Sequence, residues 1–193
     1  MASEREEREE LDDSTLLERF VAGDHPAFDA LVRRHEDRVF GLTLRMTGDR
    51  ADALDATQDA FLSVFRKAAT FRSDAAFSTW LYRIAVNSAN DLLRKRKRFP
   101  IVDDDSEPEA ASTIDVAGQA TARLDVQHAL QLLPPEYRDA VVMHDLGSIP
   151  YDEIAAIMNV QIGTVKSRIS RGRRRLADLL EHPAGPEPSK EAT

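Results

Sequence analysis

Apolar side chains in this chain return every three or four residues rather than every second one, which is the spacing of helices with one buried face. Phe28, Leu31, Val32, His35, Val39, Leu42 and Met46 trace one seam, which opens at Pro26, a residue suited to a first helical turn, and closes at Thr47-Gly48. Asp49 is placed to cap a next helix reaching about Ala69, with Leu54, Phe61 and Phe65 on one side. A loop, Thr70 to Ala76, then leads into a helix from Phe77 to Arg98. Further helices are expected near Ala122 to Leu132, Pro135 to Leu146, Pro150 to Met158 and Ile162 to Leu180. Strand signals are weak, because aromatic residues make up only 6% of the chain and no Asn-Gly or Asp-Gly turn occurs. The pattern predicts an all-α protein of two small helical domains joined by a flexible acidic linker, the second containing a helix-turn-helix.

The expected division is a disordered acidic N-terminus at 1–10, a first domain at 11–98, a linker at 99–121, a second domain at 122–181 and a disordered tail at 182–193. The linker follows from Pro100 to Gln119, where Pro, Ser, Gly and six carboxylates occur with no apolar period. The 193 residues are 42% hydrophobic, enough to bury two small cores. The chain has no cysteine, which excludes disulfides and thiolate metal sites within it. No run approaches the roughly 18 to 20 apolar residues of a membrane span, and Met1 to Glu10 alternates Glu and Arg with no apolar core, unlike a signal peptide. Cytoplasmic residence without membrane insertion is the expectation.

Net charge, −8, speaks against nucleic acid only if the signs are mixed, and here they are segregated. Acids crowd Glu4 to Asp13, Asp49 to Asp59 and Asp103 to Glu109, whereas cations crowd Arg94 to Arg98 and Lys166 to Arg175. The second basic block lies in Tyr151-Asp-Glu-Ile-Ala-Ala-Ile-Met-Asn-Val-Gln-Ile-Gly-Thr-Val-Lys-Ser-Arg168 and its continuation: a short helix, a turn at Asn159 to Gln161 and a second helix. At 100° per residue from Val165, residues Ile162, Ile169, Gly172 and Leu176 share one stripe, the face expected to pack on the domain. Thr164, Ser167, Ser170, Arg171 and Arg174 then face outward, flanked by Lys166, Arg168, Arg173 and Arg175. The flanks suit phosphates and the centre suits base edges in a major groove. The plainer reading, a solvated basic surface helix, does not account for the turn.

In the Phe77–Arg98 helix, Trp80, Ile84, Asn87 and Asp91 fall on one side with Arg83, Arg94 and Arg98 beside them; Leu81, Tyr82, Ala85, Val86, Ala89, Leu92 and Leu93 fall on the other. Trp and Asn beside cations are the equipment for stacking on and hydrogen-bonding unpaired bases; equally, Trp80 reads as core and Asn87 as a satisfied polar group. The five cations Arg94, Lys95, Arg96, Lys97 and Arg98 exceed what a helix C-terminus needs and point to phosphate. Asp52, Asp55 and Asp59, with Gln58, line one side of their helix, which reads either as a solvated face or as a surface for a basic partner helix.

Asp52-Ala-Leu-Asp-Ala-Thr-Gln-Asp-Ala-Phe61, Phe77-Ser-Thr-Trp-Leu-Tyr-Arg-Ile-Ala-Val-Asn87, Leu133-Pro-Pro-Glu-Tyr-Arg138 and Gly163-Thr-Val-Lys-Ser-Arg168 together resemble bacterial sigma factors of the extracytoplasmic-function type, over roughly Leu11 to Leu180. The resemblance implies that Asp52, Asp55, Gln58 and Asp59 dock on the clamp helices of core RNA polymerase. It implies that the loop Thr70 to Ala76, including Phe71 and Arg72, captures a flipped base of a promoter −10 element together with Trp80, Arg83, Asn87 and Asp91. The second domain is implied to read the −35 duplex and pack on the polymerase flap, with the linker threading toward the RNA path. Control by an anti-sigma factor of a stress or developmental regulon is a further implication. The sequence departs from the family at Leu54, where many members carry Glu, and at Gly172, where Ala is usual. No cofactor, metal or catalytic residue is expected: His25, His35, His128, His144 and His182 are scattered. The free chain is expected to be a monomer. The rival reading is a self-sufficient helix-turn-helix regulator that dimerises on a palindrome.

Overall fold

The computed structural model describes residues 10–72, 76–98 and 126–181. The expected N-terminal extension, linker and tail lie outside them, apart from Glu10. Among the described residues the elements are helices α1 (Asp13–Val21), α2 (His25–Thr47), α3 (Arg50–Lys67), a 3-10 turn (Ala68–Thr70) and α4 (Phe77–Arg98). They continue with α5 (126–132), α6 (Pro135–Asp145), α7 (Tyr151–Met158) and α8 (Ile162–Glu181). The chain is all-α.

Local chemistry sets these limits. Asp12 accepts from the Thr15 backbone N–H at 2.8 Å and Asp49 from that of Asp52 at 2.8 Å, each satisfying a donor left free at a helix start. Gly48 ends α2 at φ 78°, a conformation cheap only without a Cβ, and its N–H returns to the Leu44 carbonyl. The apolar period predicts no helix before Pro26; α1 supplies one, and its Leu16, Leu17 and Phe20 close the open side of the α2 seam.

α1 to α4 pack around Leu31, Val39, Leu42, Met46, Val64, Leu81 and Val86, all nearly inaccessible. His35, the one titratable member of the α2 seam, meets the Asp13 carboxylate at 2.8 Å, which ties α1 to α2. Two corrections follow for faces drawn from periodicity. Ile84, placed on the chemical face of α4, is buried, because helices pack on α4 from more than one side. Ile162, placed in the packed stripe of α8, is 45% exposed, because the first turn of α8 projects beyond the helices that cover Val165 and Ile169.

α6, α7 and α8 form a second group around Val142, Met143, Ile149, Ile154 and Val165. Asn159 takes the left-handed conformation at φ 52°, making the turn between α7 and α8. Gly172 is where α8 crosses α6: a Cβ there would stand 2.7 Å from Val141 Cγ2 and 3.2 Å from the Tyr137 carbonyl oxygen. The two groups meet at the C-terminal end of α2. Gln127 and Gln131 donate their side-chain amides to the Leu44 and Arg45 carbonyls at 2.9 and 3.0 Å, so that the Leu44 oxygen accepts a second bond beside that of the Gly48 N–H. Arg138 holds the Gln131 amide oxygen at 2.6 Å.

Candidate nucleic-acid and polymerase interfaces

α8 presents its cations unevenly. Val165, Ile169 and Gly172 are buried against α6 and α7, which turns Ser170, Arg171 and Arg174 to solvent. Thr164 and Ser167 are partly covered, and the Ser167 hydroxyl donates to the Thr164 carbonyl at 2.8 Å. The flanking cations are strapped to the domain. The Lys166 ammonium lies 5.7 Å from the Tyr151 ring centre, the Arg175 guanidinium 5.1 Å from that of Tyr137, and Arg168 reaches the Met158 sulfur at 4.0 Å. Arg173 donates twice to the Asp145 carboxylate, its Nε at 3.0 Å, and that carboxylate pushes the guanidinium pKa up. The sequence therefore found the outward face correctly in outline, but it gave no sign that Arg173 is neutralised by an acid on α6.

On α4, Trp80 is half-buried in an aromatic group, 5.1 Å from the Phe71 ring and 6.0 Å from that of Phe77, with the Phe77 ring in turn 5.5 Å from His35. Trp80 thus packs on the core and keeps an exposed edge. Arg72 and Asn87 are exposed, as are Lys95, Lys97 and Arg98. Asp91 and Arg94 pair with each other at 2.9 Å one turn apart, in full solvent. Arg83 lies 3.7 Å from Glu153 of α7. Gln127, Gln131, Glu153 and Asp145 are the residues that sequence reasoning passed over. The two glutamines carried a readable signal, sitting four apart on one face of a short helix; the acids did not.

The acidic stripe on α3 divides. Asp55, Gln58 and Asp59 are exposed, but Asp52 is only 7% exposed and its carboxylate accepts from Arg96, so it does not share the outer face. Burial raises the Asp52 pKa, against the lowering effect of Arg96. The structure thus brings Asp52, expected at a polymerase contact, together with Arg96, expected at DNA. The pair lies in the lining of a groove of about 1010 Å³ between the two helices, walled by Asp55, Gln58 and Asp59 on α3 and by Ser88, Asp91 and Lys95 on α4. Beyond the acids, Leu54, Leu62 and Phe65 expose about half their surface, the Phe65 ring lying 4.9 Å from that of Phe20 on α1. The outer face of α3 is therefore acidic along one edge and apolar along the other, and Leu54 belongs to the apolar edge.

Among the described residues no cluster of three or more His, Asp or Glu is arranged to hold a metal ion, and no helix is long and apolar enough to cross a membrane.

Comparison with known proteins places these surfaces in a context. Residues 31–99 match Sigma-70 region 2 and residues 123–176 match Sigma-70, region 4, so that α3 and α4 fall in the first and α6 to α8 in the second. The ECF RNA polymerase sigma factor SigM of Mycobacterium tuberculosis is 44% identical over 174 residues, covering 90% of this chain and 87% of that protein. The ECF RNA polymerase sigma factor SigE of Mycolicibacterium smegmatis is 41% identical over 160 residues, covering 80% of this chain but 62% of that longer relative. Among solved structures, the sigma factor RpoE of Bartonella quintana, in complex with the anti-sigma factor NepR, superimposes with a TM-score of 0.61 at 25% identity, covering 81% of this chain and 98% of that one. Region 2 thus precedes region 4 along the chain, and with a relative 44% identical over 90% of its length the chain belongs to the extracytoplasmic-function (ECF) family of RNA polymerase sigma factors.

Proposed function

We propose that this chain is an alternative sigma factor that binds core RNA polymerase, recognises the −35 and −10 promoter elements, melts promoter DNA and so initiates transcription of a stress or developmental regulon. The observation that carries the reading is the pairing, in one chain of this family, of two separate outward cationic surfaces, Arg171 and Arg174 on α8 and Lys95, Lys97 and Arg98 on α4, with an acidic face on α3. One basic surface serves duplex and the other single strand. Asp55, Gln58 and Asp59 dock on the clamp helices of the polymerase, while Phe71, Arg72, Trp80, Arg83, Asn87 and Asp91 receive the unpaired −10 strand. The residues Thr164, Lys166, Ser167, Arg168, Ser170, Arg171, Arg174 and Arg175 form the −35 reader, and its domain packs on the polymerase flap.

The division into 11–98, 99–121 and 122–181 follows from the same reading, with the acidic segment between threading the polymerase channel. The chemistry of RNA synthesis belongs to the polymerase, and the chain has no catalytic role of its own. It works in the cytoplasm as a monomer when free. An anti-sigma factor controls it, as the complex containing the Bartonella protein supports. Family membership speaks against the self-sufficient operator-binding regulator, which dimerises and needs no polymerase.

Run-off transcription with purified core polymerase, with and without the chain, tests the proposal. Promoter-specific transcripts that appear only with the chain are expected, and no stimulation from any genomic promoter would sink it.

A further inference from the structure

α8 carries six cations between Lys166 and Arg175, and among the described residues only Arg173 has its charge cancelled by an acid. Lys166 and Arg175 sit over aromatic rings and Arg168 against a thioether, contacts that leave the positive charge available to a phosphate. Arg173 instead offers two N–H groups to the two oxygens of Asp145, the same fork that a guanidinium presents to a phosphate. At 80° from Val165 on the helical wheel, Arg173 lies on the phosphate-facing flank of the reader.

The pair is not needed to place α8. Val165, Ile169 and Gly172 already bury that helix against α6 and α7, whereas the ion pair is open to water, with the Arg173 side chain 52% and the Asp145 side chain 33% exposed. Exposed ion pairs contribute little to stability.

We infer that Asp145 sets the affinity of the duplex-binding face, as an internal substitute for phosphate that keeps Arg173 from adding a sequence-independent contact to DNA. This rests on α8 being the duplex reader. Each phosphate contact strengthens binding to every sequence equally, so withdrawing one lowers the affinity for all duplex DNA, non-promoter DNA included, while the base-reading face and the ratio of affinities between sites stay as they are.

The test uses the full chain and a short mixed-sequence duplex, followed by fluorescence anisotropy across a range of salt concentrations. Asp145→Asn should bind the duplex several-fold more tightly at fixed salt, and the slope of log affinity against log salt should steepen by about 0.9, the value of one added phosphate contact. Adding Arg173→Ala to Asp145→Asn should return the slope to that of the native chain. An unchanged or shallower slope for Asp145→Asn overturns the inference, as does a gain that survives Arg173→Ala, because the effect is then one of general charge. Arg171→Ala with Arg174→Ala separates the underlying reading: if that variant binds duplex as the native chain does, α8 is not the DNA face and both conclusions fall. If it binds weakly and Asp145→Asn changes nothing, only the role of Asp145 falls.

Discussion

Arg96, in the last turns of α4, donates to the buried Asp52 carboxylate at the start of α3, so the helix proposed to meet the polymerase and the helix proposed to hold promoter DNA share an ion pair. Because burial raises the Asp52 pKa in spite of Arg96, the charged carboxylate loses more on leaving water than the guanidinium returns. Asp52→Asn is therefore expected to stay within about 1 kcal/mol of native stability and to keep core polymerase binding. Asp55→Lys with Asp59→Lys, on the exposed edge, should weaken core binding on the order of 100-fold through two charge reversals while the melting curve stays native. Equilibrium unfolding and a core-binding titration on the same variants decide it; loss of binding in Asp52→Asn alone would put the contact where the structure does not.

Gly172→Ala is expected to destabilise the chain even though alanine is the better helix former by roughly 1 kcal/mol. The added methyl would meet Val141 Cγ2 at 2.7 Å, and that branched side chain sits in the core with no free rotation to give. Overpacking costs about 1 to 3 kcal/mol, so the net loss should be about 1 kcal/mol. Val141→Ala in the same chain should recover most of it. Urea unfolding of the single and double variants measures both, and a stabilised Gly172→Ala would mean that α8 slides freely over α6.

The Asp139 carboxyl is pushed by burial from the ordinary 3.8 to about 6, against the lowering influence of Arg138. The folded chain therefore binds more protons than the unfolded one between those values, and stability falls as pH rises through about 4 to 6. Above that window the penalty is complete, about 3 kcal/mol at about 1.36 kcal/mol per unit. Asp139→Asn should relieve up to that amount near pH 7.5 and very little near pH 4, while Arg138 keeps its bond to Gln131. Urea midpoints at the two pH values check this, and an equal gain at both would remove titration as the cause.

Asn87 stands exposed on α4, two turns beyond Trp80, with no fold-supporting contact that its loss would break among the described residues. Asn87→Ala should leave core binding native and lower promoter opening about tenfold, the value of one hydrogen bond at ~1.4 kcal/mol. Permanganate reactivity of thymines near −10 reads the open strand directly. Reactivity equal to that of the native chain would take Asn87 out of strand capture.

Much of this was legible in advance because it is periodic. The α2 seam, the limits of α8 and its outward Arg171 and Arg174 all follow from 3.6 residues per turn and the cost of burying charge. What periodicity misses is who pairs with whom across the fold. Asp52 and Arg96 are 44 residues apart and Asp145 and Arg173 are 28, and nothing local marks either acid as the partner of a distant cation. The period groups Asp52 with Asp55 and Asp59 because all three lie on one side of α3, but the edge of that side turns under α4. Helix ends mislead for a related reason: Ile162 keeps the period of the core stripe while lying beyond the helices that could cover it.

The amides of Gln127 and Gln131 join the C-terminal helices to α2 through bonds between neutral groups, whereas the proposed phosphate contacts are all made by cations. Dissolved ions screen the second kind and leave the first nearly untouched. Gln127→Ala with Gln131→Ala should accordingly enlarge the radius of gyration in X-ray scattering at any salt concentration without loss of helix, and salt alone, which reaches only the loose Arg83–Glu153 pair across the same junction, should enlarge that of the native chain far less. Ionic strength then becomes a knob that strips nucleic acid from the protein while leaving its internal posture largely as it was.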